Sequence, residues 1–176
     1  MSPVNAAVAS GAASLLLLVA AAQPALATEP ACATDSRPEL LRSLDGRWVM
    51  QGDVMGKPVT YTLQVAPTLG CAFTELHMRD VQVPSEYEAR VFIGADPSAK
   101  TVVVHWLDSF GGAASIPHGT GTLADQTLEF VVPYPSGAFR DRLVRDPARG
   151  TWAFVIESQQ PDGSWQHFAR YSIRRP

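Results

Sequence analysis

Charged side chains are absent from residues 1–27, and the chain carries only two cysteines in 176 residues. Cys32 and Cys71 do not form a Cys-x-x-Cys pair, which excludes redox chemistry of the thioredoxin kind. The longest apolar run, Ala12 to Ala22, falls well short of the ~20 residues that a membrane-spanning helix needs. Basic residues are nowhere concentrated and the formal charge is −3, so nothing marks a nucleic-acid surface. The terminal "RYSIRRP" reads as a solvated last strand. Gly-x-Ser-x-Gly, His-Glu-x-x-His, Gly-x-Gly-x-x-Gly and P-loop patterns are all missing. Their absence removes the familiar enzyme classes, though a sheet can still assemble a catalytic site from scattered strands.

What is present begins with an address. The apolar run is followed by Pro24 and by Ala25–Ala27, a small-residue cleavage pattern, so residues 1–27 read as a secretory signal peptide. A short N-terminal anchor is the other reading. No lipid attachment is expected at Cys32, which "EPA" precedes. Export to the periplasm or beyond follows, and residues 28–38 become an N-terminal arm ahead of one domain, 39–176. In an oxidising compartment Cys32 and Cys71 can pair, closing a loop of roughly 40 residues for about 4 kcal/mol at most. Two free buried thiols are the alternative.

Turn signals then recur at short intervals. "QGDVMGKP", "APTLG", "RDVQVPSE", "ADPSAK", "DSFGGAASIP", "ADQ", "YPSG", "DPARG" and "QPDG" are rich in Gly, Pro, Asp and Ser, which supply turn geometry. They leave ten segments, roughly 46–52, 58–66, 71–80, 86–95, 100–108, 117–124, 127–134, 138–145, 151–159 and 164–174. Most are rich in β-branched and aromatic residues. Connections this short force antiparallel hairpins, because parallel pairing needs long crossovers. Tyr87, Ala89, Val91 and Ile93 share one face; so, by strict alternation, do Trp165, His167, Ala169, Tyr171 and Ile173. One wet and one enclosed face over ten strands predicts an all-β, up-and-down antiparallel β-barrel, since closure removes both edges. A sandwich is the competing architecture. Leu40, Leu41 and Leu44 predict a short helix within Arg37–Leu44, plugging one end.

Gly46-Arg47-Trp48 resembles the Gly-x-Trp signature of the calycins, the lipocalin and fatty-acid-binding-protein superfamily. "LDGRW", "IGADPSAKTVVVHWLDS" and "PDGSWQHFARYSIRR" together are similar to a bacterial, secreted lipocalin-like family without an assigned function, over residues 40–175. The resemblance implies that Trp48 closes one barrel end beside Gly46. It also implies that an arginine of the last strand, Arg170 or rather Arg174, packs over the indole. A strand count of ten also resembles the haem-binding nitrobindins, whose opening Gly-rich pattern is thinner here, with only Gly52 after Trp48.

Candidate ligand contacts are Phe73, Glu75, Tyr87, Trp106, His167 and Tyr171. His167 is expected to face inward, where it could meet a carboxylate ligand or haem iron, or simply pair with the Tyr171 hydroxyl. Phe73, Glu75, His77 and Arg79 share a face and could form a polar interior wall. Glu75 and His77 would need a further donor to hold a metal, and neither metal nor other cofactor is expected. "HWLD" is not a ligand spacing in a strand; Asp108 is read as capping the next turn. The aromatic residues within strands exceed what turns require and point to an apolar pocket. Asp108–Gly121, the longest separator, is the candidate flap. The expected role is binding a small apolar or amphipathic molecule, without nucleic acid and without stable membrane insertion. The alternatives are a small-molecule isomerase or hydrolase, a haem-binding barrel enzyme, and an interaction module without ligand.

Overall fold

A computed structural model describes Cys32 and residues 34–176 other than Pro97. The expected signal peptide and all of the arm ahead of Cys32 lie outside the described residues. The described chain is a closed barrel of ten antiparallel strands in meander order. These are β1 (Gly46–Val54), β2 (Lys57–Thr68), β3 (Phe73–Asp80), β4 (Glu88–Asp96), β5 (Thr101–Asp108), β6 (Gly119–Ala124), β7 (Thr127–Val132), β8 (Phe139–Asp146), β9 (Thr151–Gln159) and β10 (Trp165–Arg174). Each falls where the turn signals leave a segment. The sandwich is excluded because β1 pairs with β10, Met50 opposite Ile173 and Gly52 opposite Tyr171. That closure requires the first strand to coil tightly against the last. Gly52 permits it, since a Cβ there would overlap the Arg170 carbonyl oxygen.

Alternation decides what each strand encloses. Trp48 and Met50 of β1, Leu63 and Val65 of β2, Leu76 and Met78 of β3, and Val91 and Ile93 of β4 are all buried. The expected helix over Arg37–Leu44 is a single turn, α1 (Glu39–Arg42). Leu40, Leu41 and Leu44 do bury their shared side against the barrel base. The Trp48 indole N–H donates to the Leu44 carbonyl at 2.6 Å, fixing that turn over the first strand.

The arginine over Trp48 is Arg175, not Arg174. Its guanidinium carbon lies 3.5 Å from the indole centroid. Its Nη2 donates to the Asp45 carbonyl at 3.0 Å and its Nη1 to that of Arg47 at 3.3 Å. Parity is the reason: Ala169, Tyr171 and Ile173 point inward, so 175 continues that row and 174 points out. Arg174 instead donates to Gln51 on the outer surface. Gly46 serves both partners. Its φ of +115° is one that L side chains rarely adopt, and a Cβ would overlap the Arg175 guanidinium.

Beneath the base, Cys32 and Cys71 form a disulfide with Cα atoms 5.9 Å apart, tying the arm to the β2–β3 turn. Arg37 completes the tie. Almost wholly buried, it bonds Asp35 at 2.7 Å, Asp45 at 2.6 Å and the Thr74 hydroxyl at 3.0 Å. Burial opposes its charge, but the Asp45 and Asp35 carboxylates more than restore it, and the guanidinium pKa is raised. Nothing in the sequence pattern singles out this arginine.

Arg175→Ala is expected to lower unfolding free energy by about 1 kcal/mol, from the lost cation–π contact. Arg174→Ala should stay within about 0.5 kcal/mol of the parent. Gly46→Ala should cost about 1–3 kcal/mol through its backbone angle alone. Urea titrations of the three variants check this. Equal losses for the two arginine variants would contradict the assignment.

Candidate functional site

One half of the barrel is solid and the other is hollow. Toward α1, aliphatic side chains such as Val104, Leu128 and Leu143 fill the interior around Trp48 and Trp152. Toward the opposite end, where the β1–β2, β3–β4, β5–β6, β7–β8 and β9–β10 loops gather, a cavity of about 880 Å³ opens. That is within the range of small-molecule sites.

Aromatic rings wall this space in edge-on and tilted contact. Tyr61 meets Tyr87 at 5.8 Å and Tyr171 at 5.7 Å between centroids. Tyr171 meets Phe154 at 5.8 Å, and Phe154 meets Trp106 at 6.4 Å. On the other wall Phe139 lies 5.6 Å from Tyr134 and 4.9 Å from Phe168. Of the six expected contacts, Tyr87, Trp106 and Tyr171 line the cavity. The Trp106 indole donates to the Tyr87 hydroxyl at 3.3 Å. Burial raises the Tyr87 pKa, with the Asp108 charge adding to it, so the hydroxyl remains a neutral hydrogen-bonding group.

Phe73, Glu75 and His167 do not reach the cavity. In β3 the inward row is Thr74, Leu76, Met78 and Asp80, so Phe73, Glu75 and His77 stand on the outer face. Phe73 lies flat against Gly94, whose missing side chain makes room for the ring. Glu75 pairs with Arg90 and His77 with Glu88, so the expected polar wall is an outer ion-pair ladder. His167 is displaced by a β-bulge between His167 and Ala169, where β10 carries one residue more than β9. The bulge leaves His167 outside, bonded to Asp53 at 2.6 Å, and brings Phe168 against the cavity. None of the four histidines lines the cavity, so it offers no imidazole for haem iron. Among the described residues no three His, Cys, Asp or Glu side chains converge as a metal site.

Two acidic residues at the mouth are held by the fold. Asp80 accepts backbone N–H bonds from Tyr87 at 2.6 Å, Glu86 at 2.7 Å and Gln82 at 3.0 Å. Burial pushes its carboxyl up, but the bonds from Tyr87, Glu86 and Gln82 prevail and the pKa is lowered. Asp108 caps its turn as expected, accepting from the Phe110 N–H at 3.0 Å. In the loop expected as a flap, Phe110 and Ala114 line the mouth, and Phe110 lies 5.7 Å from Tyr87.

Asp141 is different. It sits on β8 between Phe130 of β7 and Ile156 of β9, only 3% exposed, and it lines the cavity. Among the described residues no hydrogen-bond donor reaches it, and burial alone drives its pKa well above the ordinary carboxyl value. Its charge would in turn oppose ionisation of Tyr134 and Tyr171, whose pKa values are raised first by burial. A signal for it existed in "FRDRLVRD": Arg140 and Arg142 must face water, which sends Asp141 inward with Phe139 and Leu143.

No family model matches the sequence, and no curated protein matches it either. Among solved structures the chain is similar to Rv2717c from M. tuberculosis, with 13% identity and a TM-score of 0.57. The match covers 79% of this chain and 98% of that one. A likeness at this level concerns the fold alone.

Burial disfavours the charged form of Asp141 in the folded protein, a penalty that the unfolded chain does not carry. Stability therefore falls as pH rises from the unfolded carboxyl pKa, about 4, toward the raised folded value. Asp141→Asn is expected to be the more stable protein at pH 7, by on the order of 1–3 kcal/mol. The difference should shrink toward zero at pH 4 and below. Urea titrations at pH 4 and 7 check it; a difference independent of pH would contradict the assignment.

Proposed function

We propose that the protein is an exported, calycin-like barrel that binds a small, mostly apolar or amphipathic molecule in the hollow half of its interior. The cavity carries the reading: about 880 Å³, open at one end and walled by aromatic rings in edge-on and tilted contact. A barrel evolved only as a scaffold gains nothing from such a void, because unfilled interior space costs stability in proportion to its volume. The seal at the other end supports the calycin likeness, since an indole under an arginine stands where that pattern expects one.

Export is supported by the apolar N-terminal run and by the disulfide, which persists in oxidising compartments. The outer surface carries Glu75–Arg90, Arg140–Glu157 and His167–Asp53 pairs rather than an apolar band. That surface suits a barrel standing in water. Exposed Phe110, Ile116 and Met55 fringe the mouth and suit the approach of an apolar molecule.

Native mass spectrometry of protein purified from its own host is expected to show a bound small molecule, released on unfolding. A neutral apolar dye, Nile red, should bind the emptied protein, and Val59→Trp, which fills the cavity wall, should weaken it about tenfold or more. Dye binding unchanged by Val59→Trp would place the dye elsewhere and contradict the proposal.

A further inference from the structure

Among the described residues, Asp141 is the deeply buried carboxyl of the cavity that no donor reaches, whereas Glu86 stands at the rim. Asp80 has three backbone N–H partners and Asp108 caps its own turn, but Asp141 has none. No sealed side-chain oxygen lacks a partner among the described residues, so the Asp141 carboxyl opens onto the cavity, where an occupant can reach it and supply the partner that the fold does not. Resting on the binding function above, we infer that the cavity takes an amine-bearing amphipathic molecule, its ammonium seated against Asp141 among the tyrosine rings.

Charge and ring chemistry select this class. Facing the same space are Tyr61 of β2, Asp80 of β3, Tyr87 ahead of β4, Asp108 of β5, Tyr134 after β7 and Tyr171 of β10. Glu86 and Lys57 stand at the rim, and Lys57 is the sole basic residue of the lining. A carboxylate ligand would therefore meet carboxylates with no interior cation to receive it. An ammonium finds the opposite: a carboxylate to pair with and electron-rich tyrosine and tryptophan faces around it. Val132, Phe139, Phe154 and Ile156 flank Asp141 and offer the apolar body of the same molecule a dry wall. Pairing with the ammonium ionises Asp141, so binding expels a proton. Affinity should rise with pH until the pKa of the empty site is passed.

Three probes with one body separate the possibilities: 2-naphthylmethylamine, 2-naphthylmethanol and 2-naphthoate, titrated by calorimetry into the disulfide-bonded protein. The amine is expected to bind about tenfold or more tightly than the alcohol at pH 7, the worth of one charge-assisted pair. Asp141→Asn should bring the two level and flatten the pH dependence of amine binding between pH 5 and 8, while the alcohol binds both proteins alike. Asp141→Leu, free of any polar group, should do the same, and circular dichroism confirms that both variants fold. Amine and alcohol binding equally to the parent, or naphthoate binding tightest, would overturn the inference and leave the pocket standing. Failure of all three probes, together with Nile red, would overturn the binding function itself.

Discussion

The pairing of β1 with β10, from Val49 opposite Arg174 to Val54 opposite Ala169, turns a meander into a container. Without it the sheet would present two long edges and its inner row of apolar side chains would have nothing to enclose. Two glycines make the join possible. Gly52 lets the two backbones approach where a Cβ would strike the Arg170 carbonyl oxygen, and Gly46 lets Arg175 settle over Trp48. Cys32–Cys71 and the Arg37 ion cluster then hold the arm beneath the sealed base.

Closure alone does not produce a cavity; the choice of side chains does. Aliphatic residues near α1 interlock and exclude space. Rings farther along lean on one another at 5–6 Å in edge-on or tilted geometry, prop the walls apart and leave the axis open. The bulge at His167–Ala169 adds to this asymmetry, because it delivers Phe168 to the mouth in place of a histidine. Among the described residues, Asp141 then stands as the deeply buried carboxyl that no donor reaches, open to the cavity.

Strand number and order were legible from punctuation, because Gly, Pro and Asp mark hairpin turns whatever the tertiary setting. The inward face of β4 was legible too, since Tyr87, Ala89, Val91 and Ile93 contrast with Glu88 and Arg90. Phase was harder in β3, where both faces are mixed. Leu76 and Met78 win the interior because Glu75 and His77 find partners on the neighbouring β4, which no single segment can show. In β10 the bulge breaks the simple alternation that would turn His167 inward. Arg175 and Asp141 were within reach of parity arguments. Continuing the odd-numbered row of β10 reaches the first, and placing Arg140 and Arg142 in water implies the second. Phe168 was not within reach, because a bulge depends on pairing with β9. Arg37 was out of reach for a related reason: its partners Asp45 and Thr74 become neighbours only in the closed fold.

Closure is most directly tested by nuclear Overhauser contacts between the first and last strands in solution. The account predicts cross-strand backbone contacts linking Met50 with Ile173 and Gly52 with Tyr171, with the amides between them protected from exchange. Rapid exchange along β1 and no contact to β10 would show an open sheet, and the sealed base and hollow upper half would have no basis.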